Sequence, residues 1–358
     1  MSDTFRLLRY KKSDREEVFT FLRSVYSSVE SDRLISHWGW KYDANPFNHD
    51  VEPYILLLKD GNKIIGMEGA IPLRVAVNGK ERWVINICDL TVHPDYRGRG
   101  LSRRIVAQIW ADNPMSFSWL NEISHRVVAP LGTSRRARLV SLVKPIDFGL
   151  ILQRRTGSRL FSCWGGLLTT GAHYLARPLC RHQALPGITV TQVGTFDHRV
   201  NILWERMCRE YPVMVVRDQR YLNWRFICRP DTKYTLLVAT RGPDLVGYLV
   251  LRSAKRAEGW WGYIIDFLVE DSSSSLLALL VKEAVERLRH EGVVAISCRA
   301  TMSPYRRIFY RQGFYPWYWG QRGYFCTRVT LPDPELQVFG DPQQWFSTMG
   351  DGDLEMAV

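Results

Sequence analysis

The run His93-Pro94-Asp95-Tyr96-Arg97-Gly98-Arg99-Gly100-Leu101-Ser102 is the stretch of this sequence best suited to chemistry. An apolar segment, Ile87 to Val92, leads into it, Pro94 stops that segment, and a helical pattern follows at once. A helix start presents amide groups without intrahelical partners and the positive end of the backbone dipole. Both favour an anion such as phosphate. Gly98 and Gly100 remove the Cβ atoms that would keep a pyrophosphate from the backbone. Arg97, Arg99, Arg103 and Arg104 add positive charge nearby. An ordinary glycine-rich turn is the plain alternative, but it would require neither the proline nor the arginines.

The elements that must position this loop are readable around it. Phe5 to Arg9 is predicted as a strand, residues 13–28 as an amphipathic helix and 30–40 as a second helix. Tyr54 to Leu58, a turn at Asp60-Gly61-Asn62 and a strand over 63–75 follow. Asn78-Gly79 is a strong hairpin signal leading into a strand from Trp83 to Val92. A helix over Leu101 to Ala111, a strand over Phe117 to Leu120 and a short helix around Ser124 complete the order βααβββαβα, a mixed α/β unit.

The second half restates the first. Trp40-Lys41-Tyr42 matches Trp224-Arg225-Phe226 at an offset of 184, each with a proline (Pro46, Pro230) six beyond the tryptophan. Tyr54 matches Tyr234, Gly66 matches Gly247, Asp89 matches Asp266 and Gly132 matches Gly313, in order and at nearly the same offset. The expected division is 1–150 for the first unit, 151–190 for a basic connector, 191–332 for the second unit and 333–358 for a tail. The connector could lie on a membrane surface, although packing against the units is the plainer reading. Where the first copy has its glycine-rich loop, the second reads Glu270-Asp271-Ser272-Ser273-Ser274-Ser275, with carboxylates where phosphate would sit. The paired tryptophans read as core anchors with snorkelling cations.

With 358 residues, 46% hydrophobic and 23% charged, the chain suits two globular domains. The formal net charge of +12 fits a polyanionic small molecule as well as nucleic acid. No zinc-finger, RNA-recognition or long basic block is present, so no nucleic-acid partner is expected. Seven widely spaced cysteines give neither a disulfide framework nor a zinc site, and no metal is expected. No apolar run is long enough for a membrane span and the charged start does not read as a signal peptide, so a cytoplasmic location is expected.

The loop resembles that of the GNAT superfamily of N-acetyltransferases, whose pyrophosphate loop reads Arg/Gln-x-x-Gly-x-Gly/Ala after a strand ending in Val-x-Pro. Arg97, Gly100 and Ser102 stand in its three defining places, with Ser102 for the last small residue. Asn121-Glu122, with Asn121 eleven residues before Gly132, resembles a second family feature, and Tyr310 to Phe314 resembles the closing segment. The resemblance implies an α/β fold of two tandem GNAT-like domains, each a mixed, mostly antiparallel sheet flanked by helices, with a degenerate second copy. It also implies acetyl-CoA, or another acyl-CoA, as co-substrate. Leu90, Thr91, Val92, Arg97, Gly98, Arg99, Gly100, Leu101, Ser102 and Asn121 are then expected to bind it. The implied reaction is attack of an amine on the acyl thioester, with the amides of Leu90 to Val92 at the developing oxyanion.

The amine must lose a proton, and Asp89, Glu122 and His93 are the candidates to take it, Asp89 first. The resemblance further implies an acid for the departing thiolate, which in that superfamily is often a tyrosine four residues before the glycine of the closing segment. Val128 and Phe309 stand there, which leaves Tyr310, one residue off. The expected function is N-acetyl transfer to a small primary amine, such as an amino sugar. An aminoacyl transferase of the peptidoglycan-branching type and a non-catalytic acyl-CoA sensor are the alternatives.

Overall fold

In the computed structural model, residues 5–48, 52–132, 134–157, 185–270, 274–301, 303–317 and 323–352 are described. Sixteen strands among them form two sheets. The strands of the first half are β1 (Phe5–Arg9), β2 (Ile55–Asp60), β3 (Lys63–Val77), β4 (Lys80–Val92), β5 (Met115–Asn121), β6 (Arg135–Leu139) and β7 (Ser141–Pro145). Those of the second are β8 (Ile188–Val193), β9 (Val213–Val215), β10 (Thr235–Arg241), β11 (Asp244–Arg256), β12 (Gly259–Val269), β13 (Ala295–Cys298), β14 (Tyr315–Trp317), β15 (Gly323–Val329) and β16 (Trp345–Phe346). The helices are α1 (Arg15–Val25), α2 (Ser28–Trp38), α3 (Leu101–Asp112), α4 (Glu122–Val128), α5 (Phe148–Thr156), α6 (Arg199–Met207), α7 (Gln219–Phe226), α8 (Ser274–His290) and α9 (Ser303–Arg311).

Asn78-Gly79 forms the two-residue turn it signals. Both residues have positive φ, 49° and 76°, and Val77 pairs with Lys80 across it. The β3–β4 hairpin so made is the centre of the first sheet. β3 is apolar along nearly its whole length because it is covered on both faces. One face holds the cluster of Leu56, Ile85 and Ile87 under Ile105 and Ile109 of α3. The other belongs to a larger core shared with the second half of the chain.

The first sheet runs β1-β2-β3-β4-β5-β15-β6, and the second runs β8-β10-β11-β12-β13-β7-β14. The two orders are the same, position for position, so the repeat read from sequence is a repeat of structure. The matched glycines show it locally. A Cβ on Gly66 would lie 3.2 Å from Ile105 of α3, and one on Gly247 would lie 3.4 Å from Leu276 of α8. Both therefore admit the helix that crosses their sheet.

The expected division at residues 150 and 191 is crossed twice. β7, from the first half, inserts between β13 and β14 of the second sheet, and β15, from the second half, inserts between β5 and β6 of the first. The two copies exchange their penultimate strands. Of the connector, α5 and residues 185–190 are described, while residues 158–184, where a membrane contact was considered, lie outside the described residues.

At the join, Trp40 and Trp224 stack with ring centres 5.2 Å apart. Each indole N–H donates to the other's backbone carbonyl, at 2.8 and 3.1 Å, as two copies about a local dyad would. The cations beside them do not snorkel. Lys41 is buried against Asp89, and Arg225 donates to the carbonyls of Gly350 and Gly352. Residues of the tail are part of the core: Trp345 is fully buried, and β16 pairs in parallel with β9, which itself pairs with β3. Arg217, also fully buried, bridges Asp266 and Asp351 at 3.1 and 2.8 Å. That pairing ties Asp351 of the tail to β12.

Candidate functional site

The glycine-rich run folds as its residues dictate. Pro94 to Tyr96 make a single 3-10 turn whose cap is His93, its Nδ1 accepting from the Asp95 amide. His93 is thereby a capping residue of the loop. Gly98 and Gly100 take φ of 79° and 75°, and nothing lies within 4 Å of where a Cβ would stand on either. Among the described residues, the amides of 98–102 have no backbone acceptor, and α3 begins immediately after Gly100. Arg97 folds back, Nε donating to the Val92 carbonyl at 3.0 Å, and Arg99 closes on the Asp95 carbonyl. The result is a concave nest of amides rimmed by guanidinium groups, open on the side an anion would approach.

Beside the nest the sheet opens. β4 and β5 run parallel and pair only at Ile85–Ser116, Asn86–Phe117 and Ile87–Ser118; beyond these pairs they part. A cleft of about 200 Å³ fills the gap. Its walls are apolar toward α3, with Leu90, Val106, Trp110 and Leu120, and polar where Ser118, Asn121 and Ser124 meet it. Asn121 lines the cleft with its side chain engaged as the cap of α4, accepting from the Ser124 amide at 2.8 Å.

The cleft is polar because of a bulge. Met67 pairs with Thr91 and Gly69 with Cys88, so Glu68 alone faces Asp89 and Leu90 across the β3–β4 ladder. Asp89 has a φ of 59°, in the left-handed region that few residues other than glycine adopt. Its Oδ2 takes the Lys41 ammonium at 2.8 Å and the Tyr42 hydroxyl at 2.5 Å. A Cβ on Gly69 would fall 2.0 Å from that hydroxyl, so the glycine makes room for the contact. Asp266, the matching residue, also sits at a bulge, facing Arg217, Tyr248 and Thr348 instead.

Glu68 is the residue that sequence reasoning missed. It is buried, its Oε2 has no partner, and it lines the cleft together with Asp89. Burial, reinforced by the neighbouring charge of Asp89, raises its carboxyl well above the ordinary range. The available signal was a lone charge inside the apolar run Ile64-Ile65-Gly66-Met67-Glu68-Gly69-Ala70. Tyr26, also missed, lines the cleft and shares a hydrogen bond of 2.6 Å with the Thr91 hydroxyl.

Two of the expected catalytic residues lie elsewhere. Glu122 does not line the cleft: as the first residue of α4 it turns outward, half-exposed, to Arg126. Tyr310 is on α9 beside the second sheet and is 40% exposed. At the second copy's counterpart of the nest, the Glu270 carboxylate pairs with Arg206 and Arg241. Residues 271–273 of that segment lie outside the described residues.

Comparison with known proteins bears on the fold. Residues 6–123 match the family model of an acetyltransferase (GNAT) domain. The fold is similar to a GCN5-related N-acetyltransferase from Anabaena variabilis ATCC 29413, with a TM-score of 0.59 at 12% identity, covering 90% of this chain and 72% of that one. It is similar to Saccharomyces cerevisiae N-myristoyltransferase, solved with bound myristoyl-CoA, with a TM-score of 0.56 at 13% identity, covering 92% and 83%. A conserved protein of unknown function from Enterococcus faecalis V583 gives 0.57 at 14% identity, covering 94% and 74%. No curated protein matches the chain by sequence.

Proposed function

We infer that this chain, whose residues 6–123 carry a GNAT acetyltransferase domain, is an acyl-CoA-dependent N-acyltransferase acting on a primary amine. One observation supports the reading above the others: the nest of unpaired amides at 98–102 opens beside the point where β4 and β5 part. A phosphate held in the nest leaves the thioester end of the same molecule within reach of the cleft. The open glycine positions fit a pyrophosphate, because nothing occupies the space a Cβ would fill. About 200 Å³ is small against the roughly 300–1,000 Å³ of small-molecule pockets, which favours a short acyl group such as acetyl.

The chain's own residues divide the work. Backbone groups of Leu90 to Val92, on the side of β4 that β5 has left, serve the thioester carbonyl. Asp89, engaged by Lys41 and Tyr42, is a positioning residue that fixes the bulge. Glu68 handles the proton. Its unpartnered oxygen lines the cleft, and burial makes it a more basic carboxylate than an ordinary one, which suits a group that takes a proton from an ammonium. Tyr26 supplies a hydroxyl donor for the departing sulfur. The acceptor is a small amine, and an amino sugar fits.

Thiol release from acetyl-CoA across a panel of primary amines tests the function. Amine-dependent release that is lost in Glu68→Gln supports it. Tight coenzyme A binding with no turnover on any amine would instead favour an acyl-CoA sensor.

A further inference from the structure

A second cavity, of about 870 Å³, adjoins the acyl cleft at Trp119, which lines both. Arg135, Arg136, Arg138, Arg299 and Arg306 border it. Along β6 the period of two puts Arg135 on the face it shares with Ala137, beside Phe325 and Thr327 of β15. Arg136 and Arg138 come from the opposite face of the same edge strand. Arg299 follows β13, and Arg306 is on α9. Both halves of the chain thus contribute, and the exchanged strand β15 brings them together.

Among the described residues none of these five arginines forms an ion pair. Arg299 is half-buried and spends its Nε on the Ser141 hydroxyl at 3.0 Å. Burial, with Arg256 nearby, pushes its guanidinium down to about 10. The one carboxylate among the lining residues, Asp341, accepts from the Gln343 amide and the Gln344 side chain of its own turn. Buried polar atoms without partners also cluster here: Arg136 Nη1, and on the lining residues Ser134, Ser347 and Trp119, the Oγ, Oγ and Nε1. Arg299 is a desolvated cation without a counter-charge, which is costly unless a ligand supplies the missing charge, and the more exposed Arg135 and Arg138 stand at the border of the same cavity. Several guanidinium groups converging on one space match phosphoryl oxygens best.

Resting on the acyltransferase reading, we propose that the arginine-lined cavity at Trp119 binds a phosphoryl group of the amine acceptor, so that the substrate class is a phosphorylated or nucleotide-linked amine. Its amine reaches the acyl cleft past Trp119, while its phosphoryl group stays among the arginines.

The test is calorimetric titration of inorganic pyrophosphate into protein already saturated with coenzyme A, so that the nest at 98–102 is occupied. Saturable binding is expected, weakened at least ~10-fold in Arg135→Glu/Arg306→Glu while coenzyme A affinity stays within about twofold. No saturable binding, or binding unchanged in that variant, overturns the proposal. Competition by a sugar monophosphate against a nucleoside diphosphate sugar then distinguishes the two sources of the phosphoryl group. Acetate competing better than either overturns the phosphoryl assignment in favour of a carboxylate. If coenzyme A fails to bind the wild-type protein, the acyltransferase reading is what has failed. Pyrophosphate is then titrated into Gly100→Glu, whose nest is blocked, and the cavity is judged on that result.

Discussion

Glu68 and Asp89 are neighbours across one bulge, and their substitutions should separate cleanly. Glu68→Gln removes the proton acceptor but keeps the shape. Turnover is expected to fall ~10²- to 10⁴-fold, the range for loss of a general base, with coenzyme A affinity preserved. The same variant has a stability signature. In the unfolded chain the carboxyl ionises in the ordinary range, whereas in the folded protein burial raises its pKa, so that ionisation requires a higher pH. The stability that protonation contributes is therefore complete at low pH and lost as pH rises through the folded value. Thermal unfolding of Glu68→Gln should match wild type near pH 4 and exceed it increasingly toward pH 8. An advantage that does not change with pH would refute the enclosed carboxyl. Asp89→Asn should behave differently, because Lys41 is only 3% exposed and loses its counter-charge. A loss of about 3 kcal/mol in urea unfolding is expected, with activity and stability falling together.

At the scale of elements, the loop between β4 and α3 carries the cofactor assignment. Gly100→Glu places a side chain at a φ of 75° and a negative charge in the nest. Coenzyme A affinity should fall at least ~100-fold, on the order of 3 kcal/mol, in a protein that still folds. Unchanged affinity by calorimetry would sink the loop assignment. This loop was legible in the sequence because its signals are local: a proline, two glycines and four arginines in a short run. The Asn78-Gly79 hairpin was legible for the same reason. Glu68 was not, because hydrophobic periodicity reports which face a residue is on and not where a ladder bulges. An acid within an apolar strand reads as an exception until β4 is seen to carry the extra residue opposite it. Glu122 misled in the opposite sense. It follows β5 closely enough to suggest the cleft, but α4 starts on it and rotates it out to Arg126.

At the scale of the molecule, the repeat offsets revealed two copies but could not reveal which copy each strand completes, since pairing partners leave no mark at constant spacing. The second copy has Glu270 bound to Arg206 and Arg241 where the first has its nest. Saturation titration should therefore give one coenzyme A per chain, and two equivalent sites would contradict the asymmetry. The join itself depends on a buried cation. Arg217→Ala would leave Asp266 and Asp351 facing each other without it, at a cost of about 3–5 kcal/mol by urea unfolding. Lys80→Ala, which opens an exposed pair with Glu335, should cost at most about 1 kcal/mol.

The exchange of β7 and β15 also sets a timetable for synthesis. β5 and β6 leave the ribosome early, but the strand that belongs between them ends at Val329. At about 5–20 residues per second, the nascent chain carries an unfilled slot in its first sheet for roughly 10 to 40 s. During that time β5 presents unpaired amides and carbonyls on the edge next to Trp119, the kind of edge that recruits other chains. A chain cut before Gly323 would lack that strand and leave the slot between β5 and β6 open.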